Sequence, residues 1–402
     1  MLAEPLWAKG HFETQMQLFL SVLLPGNCRV IVLCAEPDKI HQWIGENMPA
    51  SKAKAYAGYF SMPGGNGGWR TEPGRGWMHL GDAVRQAEKA TGWNVDIVCI
   101  TYLDAMIGKS MRNLYFEVKF DYPWAALYFV PDFLRIRVST RKRISKWLNH
   151  QAIFRSRTLQ SIGVLDEGVE AKMRRRAKGR DIFILPDVTD TRLPEHMPEN
   201  IAKIRQEAGD RTIIGLVGLL QKRKGLLTFL RAMTHMDQNK CFFLIAGYLP
   251  VDGYSLEEQE EIKRLLDESG GGNGYFDLNY IEDPRYVNAY IDVCDVLYLC
   301  YERFYHSSGI LTKAAAFRKP VITTRGYCMG ERTEKYGFGL TVTEGNILEI
   351  VEALEIMSDK EKRRTIVSGA RFDEFMDFHN AKTLGTVLFE MLGVEKEWQI
   401  KQ

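Results

Sequence analysis

Short apolar runs alternate along the whole chain with longer stretches in which apolar residues recur every three or four positions. The runs at 29–34, 95–101, 125–130, 160–165 and 181–185 read as buried strands. Those at 212–217, 241–246, 296–300 and 320–323 repeat the pattern in the second half. They are continuously apolar, as strands covered on both faces are. Helical spacing fills the intervals, for example at 11–24, 226–236, 256–268 and 347–357, and one long helix over about 370–392 closes the chain. Strand and helix in strict alternation predict parallel sheets covered by helices, so the expected class is α/β.

A chain of 402 residues exceeds one typical core, which predicts two domains. Pro186, Pro194 and Pro198 cluster among polar residues and mark the break. The expected division is 1–190 and 191–374, with the terminal helix, about 375–402, crossing back to the first domain.

Composition narrows the class further. No apolar run approaches the roughly 18 residues of a membrane span. The start of the chain carries Glu4 and Pro5 with no basic head before an apolar stretch, so a cytoplasmic protein is expected. The seven cysteines include no CxxC pair and the eight histidines no HExxH spacing. Buried thiols in a reducing compartment account for the first set, and neither a metal nor a cofactor is expected.

Net charge is only +2, yet residues 135–180 hold fourteen Lys and Arg against Asp166, Glu167 and Glu170. No aromatic-interleaved motif accompanies these bases, so nucleic acid is not the expected partner. Ile144, Trp147 and Leu148 fall at i, i+3, i+4 among them. That spacing fits an amphipathic helix at an anionic membrane surface. It also fits a solvated surface helix with Trp147 packed in the core.

Candidate chemistry comes from loops. The glycine-rich run 63–68, followed by Trp69 and then Trp77, lacks the Gly-Lys-Ser/Thr of a phosphate-binding Walker loop. It reads as a mobile surface loop or as a lid over an acceptor sugar, with both tryptophans as stacking faces. Three other features point to a phosphate. Gly10 precedes a helix, whose exposed amides favour anions. The loop Gly218-Leu219-Leu220-Gln221-Lys222-Arg223-Lys224-Gly225 follows a strand and brings three cations to the carboxyl edge of a sheet. His306-Ser307-Ser308-Gly309 follows another strand and opens a helix, where Ser308 and Gly309 let backbone amides approach a ligand.

In order, these pieces resemble the retaining glycosyltransferases of family 4. Gly218, Leu220, Lys224 and Gly225 match that family's Gly-Arg-Leu-x-x-x-Lys-Gly. Residues 243–247 and 295–299 resemble its next strands. Residues 314–322 resemble its Glu-Ala-x-Ala-x-Gly-x-Pro-Val run, and Gly330-Glu331 and 337–340 its closing glycine pieces. The likeness spans about 211–392, with a weaker match at Gly10-His11. Leu219 stands where the family carries arginine, and Lys313 where it carries the second of two glutamates.

The resemblance implies a GT-B architecture, with two Rossmann-like domains facing across a cleft. It implies a nucleotide-sugar donor held by Gly10, Lys224, His306, Ser307, Ser308 and Gly309, and a glycan, lipid-linked or small-molecule acceptor. The reaction it implies is glycosyl transfer with retention. No Asp-x-Asp follows a strand end in this sequence, so the transfer is expected to be metal-independent. A non-catalytic partner of the same fold is the alternative. After the strand at 95–101 the family often carries a histidine; here Asp104 stands nearby. Asp104 and Asp132, both at strand ends, are the candidate catalytic carboxylates.

Overall fold

The computed structural model describes residues 1–5, 11–26, 28–62, 75–107, 120–135, 144, 147–148, 150, 153–177, 179–269 and 272–394. The chain forms two compact units. One comprises Met1–Pro186 with Ala381–Gln402, the other Asp187–Asn380.

The first unit is built on a seven-stranded parallel sheet, ordered β3-β2-β1-β4-β5-β6-β7. Its strands are β1 (Leu2–Ala3), β2 (Val30–Cys34), β3 (Ala55–Tyr59), β4 (Val98–Ile100), β5 (Trp124–Tyr128), β6 (Leu159–Val164) and β7 (Asp181–Ile184). The second unit carries a six-stranded parallel sheet, ordered β10-β9-β8-β11-β12-β13. Its strands are β8 (Thr212–Val217), β9 (Cys241–Ala246), β10 (Gly274–Asp277), β11 (Val296–Leu299), β12 (Val321–Thr324) and β13 (Gly339–Val342). Each is a doubly wound α/β sheet whose strand order reverses in the middle.

The central strands β2, β5, β8, β9 and β11 are buried at every position, which is why they stand out as unbroken apolar runs. β1, β3, β10 and β13 do not stand out. β1 is only two residues long, while β3, β10 and β13 contain half-exposed positions and glycine.

The closing helix expected over 370–392 is two helices, Phe372–Phe378 and Ala381–Leu392. The break falls at His379-Asn380, where the chain leaves the second unit. Within the first unit, the last helix packs on the helix His11–Leu23 and on β6, where Ser161 donates to the Met391 carbonyl at 2.7 Å. Among the described residues no helix is long and apolar enough to cross a membrane.

Candidate functional site

The carboxyl edge of the second sheet is assembled from two loops. The first leaves β8 at Gly218, whose N–H donates to the Ala246 carbonyl at 2.8 Å. Gly247, at φ +134°, crosses directly over it, and a Cβ there would stand 2.1 Å from the Gly218 carbonyl oxygen. Lys222–Lys224 then make one 3-10 turn that ends on Gly225 in the left-handed region, φ +72°. A Cβ at Gly225 would lie 2.7 Å from the Cys300 carbonyl oxygen of the neighbouring strand end. These glycines therefore bring the cationic turn against the end of β11.

The three adjacent cations part company. Lys222 reaches out to Glu258, 2.6 Å away, on the helix Leu256–Ser269. The Arg223 guanidinium stacks over Phe304, 4.6 Å from the ring centroid, and its Nε donates to Gln221 at 2.9 Å. Lys224 turns inward and is only 6% exposed. Its ammonium stands 3.9 Å from the centroid of Tyr301 and donates to the Tyr301 hydroxyl. Among the described residues Lys224 has no carboxylate partner. Burial, and then the neighbouring Arg223 charge, hold its pKa well below the usual lysine value.

The second loop follows β11. Thr324 donates to the Tyr301 carbonyl at 2.6 Å, and the Glu302 N–H donates to the Arg223 carbonyl at 2.8 Å. The Glu302 carboxylate accepts the Thr228 hydroxyl, which ties the second loop to the helix Leu226–Met233 that follows the first. Arg303 takes φ +50°, a conformation that costs a non-glycine residue about 1–2 kcal/mol. Ser308 is the N-cap residue of the helix Gly309–Ala316, but its side chain makes no cap bond. Its hydroxyl lies 3.5 Å from that of Tyr301 instead. Lys224, Ser308 and the opening amides of this helix thus meet around one buried phenol.

Of the residues expected at a donor site, the structure brings together Lys224, Ser308 and Gly309. Ser307 is engaged differently: it donates to Asp187 and accepts from Arg332. His306 packs edge-on to Phe304, with ring centroids 5.5 Å apart. Gly10 lies outside the described residues. Lys313 donates to the Asn288 side chain and to the Asp190 carbonyl, and burial lowers its pKa to about 8.

In the first unit Asp104 has a backbone task. Its two oxygens accept the Phe129 and Val130 N–H groups, each at 3.0 Å, tying the turn after β4 to the end of β5. That geometry explains a carboxylate here without catalysis. Asp132 opens the short turn Asp132–Leu134 beyond β5; its side chain lies outside the described residues.

Two sequence readings are corrected here. Trp77 is no exposed stacking face: it is 4% exposed in the core, 4.8 Å from the Trp124 ring centroid. The glycine-rich run and Trp69 lie outside the described residues. Trp147 is not packed in the core either. It is 42% exposed, as is Ile144 at 51%, while Leu148 and Ile153 supply the buried contacts. Part of the basic segment is consumed internally. Arg135 pairs with buried Asp166, its Nε at 2.7 Å. Lys172, Arg174 and Arg180 donate to the Leu134, Ile182 and Ser156 carbonyls. Arg137, Arg141, Lys142, Arg143, Lys146 and Lys178 lie outside the described residues.

Sequence reading missed Tyr301, Glu302 and Arg332 as parts of the site. Tyr301 and Glu302 carried one usable signal, their place just past a buried strand at the edge where α/β sheets bind ligands. Arg332 sits inside an ordinary helix, Tyr327–Tyr336, and carried none.

Residues 198–372 match the family described as glycosyl transferases group 1. No curated protein sequence matches the chain. Among solved structures, the sucrose-phosphate synthase of Thermosynechococcus elongatus is similar, with a TM-score of 0.67 and 17% identity over 97% of each chain. HepE of Anabaena in complex with UDP and glucose gives 0.68 and 14% over 98% of each chain. The E. coli trehalose-6-phosphate protein bound with UDP-2-fluoro glucose gives 0.64 and 11%, over 97% of this chain and 98% of that one.

Proposed function

Because residues 198–372 match the family of glycosyl transferases group 1 and the chain is similar to solved GT-B structures, we propose that this protein transfers a glycosyl group from a nucleotide-sugar. The observation that carries the reading is Lys224: a buried lysine, without a carboxylate partner among the described residues, beside the N-terminus of the helix Gly309–Ala316. A buried cation is costly unless an anion meets it. A nucleoside diphosphate is that anion.

The physical difficulty of the reaction is charge that builds on the diphosphate as the sugar leaves. A cation about 4 Å away contributes roughly 4 kcal/mol at an effective dielectric near 20. A helix N-terminus adds roughly 0.3–1 kcal/mol, up to about 2 when partly buried. Lys224 therefore dominates, and the Ser308 and Gly309 amides orient the phosphates before the bond breaks. Arg223, four positions beyond Leu219, offers a second cation in place of the family arginine. With these cations the donor phosphates need no divalent metal.

The resemblance to the retaining family extends the proposal to hexosyl transfer with retention, onto a glycan, lipid-linked or small-molecule acceptor. UDP and UDP-glucose are the first probes, because relatives of the same fold are solved with UDP and glucose and with UDP-2-fluoro glucose. UDP release from UDP-glucose, measured with acceptor sugars and with EDTA present, tests the reading. Turnover that survives EDTA and retains anomeric configuration supports all of it. Loss in EDTA restored by Mg²⁺ sinks metal independence, and tight UDP binding with no turnover on any donor favours a non-catalytic partner of the same fold.

A second reading concerns location. Ile144 and Trp147 are exposed one helical turn apart in the most basic stretch of the sequence. An apolar pair flanked by lysine and arginine suits a cytoplasmic, peripheral attachment to an anionic membrane.

A further inference from the structure

The loop that carries Ser308 and Gly309 also grips the stretch by which the chain enters the second unit, and every contact involved lies within that unit. The chain enters at Asp187 and leaves after Asn380. The two crossings are pinned together: the Asp187 N–H donates to Nδ1 of His379 at 2.8 Å. The acceptor is a neutral imidazole, because burial first, and then Arg332 and Lys335, lower the His379 pKa to about 2.

The Asp187 carboxylate accepts the Ser307 hydroxyl. Arg332, 2% exposed, donates to the Ser307 oxygen and stands 3.7 Å from the same carboxylate. A second grip lies three residues on. Lys313, on the helix that Ser308 caps, donates to the Asp190 carbonyl and to Asn288. Asn288, fully buried, in turn donates to the Asp190 and Arg192 carbonyls at 3.1 and 2.7 Å. A buried guanidinium and a half-buried ammonium are expensive to retain merely for packing. Here both are spent joining the loop to residues 187–190.

We propose that Arg332 and Lys313 are positioning residues that couple nucleotide occupancy at Ser308 and Gly309 to the order of the entering segment, residues 187–192. Ser307 is the link, since it neighbours the phosphate-binding amides and hydrogen-bonds both Asp187 and Arg332. The inference rests on the reading of Ser308 and Gly309 as a phosphate site. Coupling of this kind is reciprocal: whatever UDP adds to the stability of the segment, the segment's contacts add to UDP affinity.

The experiment is amide hydrogen exchange on the full chain with and without saturating UDP. It follows the peptide spanning residues 185–193, with the β12 peptide as an internal control. Wild type is expected to exchange about tenfold more slowly over 187–192 when UDP is bound, with β12 unchanged. Ser307→Ala and Arg332→Gln are expected to bind UDP about five- to tenfold more weakly, and to lose the UDP-dependent slowing even at saturation. Ser307→Ala removes one hydroxyl and carries the test if Arg332→Gln does not fold. UDP-dependent slowing that persists unchanged in Ser307→Ala overturns the proposal, as does UDP binding to wild type without any slowing. Failure of wild type to bind UDP overturns the phosphate site itself, and the coupling with it.

Discussion

Lys224 lies against the face of Tyr301, its ammonium 3.9 Å from the ring centroid and donating to the phenol, while Lys222, two residues before it, is ion-paired to Glu258. Lys224→Ala is therefore expected to lose roughly 2–4 kcal/mol of diphosphate stabilisation, about thirtyfold to a thousandfold in UDP affinity and turnover. Lys222→Ala removes an exposed ion pair, of a kind worth about 0–1 kcal/mol, and is expected to change either by less than about fivefold. Arg223→Ala should fall between them. UDP titration calorimetry of the three variants checks the order. A Lys222 variant weaker than the Lys224 variant would mean that the wrong cation has been assigned.

Burial holds the Lys224 pKa well below the usual lysine value in the free protein. An arriving diphosphate favours the charged form and raises it. UDP binding should thus take up protons at pH values between the free and the bound pKa, and affinity should fall as pH rises through that window. Calorimetry in buffers of different ionisation enthalpy measures the uptake directly. Lys224→Met should abolish it, and uptake that survives in that variant assigns the proton elsewhere.

His379 is buried and its pKa is lowered to about 2, whereas in the unfolded chain it titrates near 6.5. A depressed folded pKa means that the unfolded chain binds the proton first, so this contribution is complete above about pH 6.5 and is lost as pH falls. Between pH 6.5 and 5 the loss amounts to about 2 kcal/mol. His379→Asn keeps an acceptor near the Asp187 N–H and removes the titration. Urea unfolding at both pH values should show the wild type losing that much more than the variant.

Arg135 and Asp166 form a nearly dry pair in the first unit, with side chains 9% and 2% exposed. Asp166→Asn removes the buried carboxylate that this guanidinium is paired with and is expected to cost about 3–5 kcal/mol. The double variant Arg135→Met/Asp166→Asn should recover part of that loss. Additive losses in thermal unfolding would show that the two side chains act independently.

Ile144 and Trp147 give the membrane reading a direct test. Co-sedimentation with vesicles containing anionic lipid should weaken as salt rises, because exposed charges are screened over about 8 Å at physiological ionic strength. Ile144→Ser with Trp147→Ser should lower binding by about tenfold or more. Equal binding to neutral and anionic vesicles, or none to either, rejects attachment by this segment.

Much of the backbone of the candidate site is legible in the sequence because its requirements are local. Gly225 must sit at φ +72° below the Cys300 carbonyl, and Gly247 must pass over Gly218; only glycine does either, so both loops carry a visible mark. Ser308 stands just ahead of a helix and Lys224 just past a buried strand, positions that a chain of strands and helices exposes in one dimension. The places of Trp77 and Trp147 stay open in the sequence for the opposite reason. A tryptophan near a loop and a tryptophan among bases look alike in sequence, and only packing against Trp124 or exposure to solvent separates them.

The sequence alone determined the α/β class and most of the strands, since strands buried on both faces must be continuously apolar and helices between them must repeat near 3.6 residues. It pointed to Lys224 among the three cations only by family register, and could not determine how each is engaged. That was decided by Glu258, 36 positions from Lys222, and by Tyr301, 77 positions from Lys224. The use of Lys313 and Arg332 to hold residues 187–190 was likewise a tertiary decision, made across separations of 123 residues from Lys313 to Asp190 and 25 from Arg332 to Ser307. Propensity and periodicity act between neighbours along the chain, whereas the work of a buried charge depends on whichever distant group the fold brings beside it.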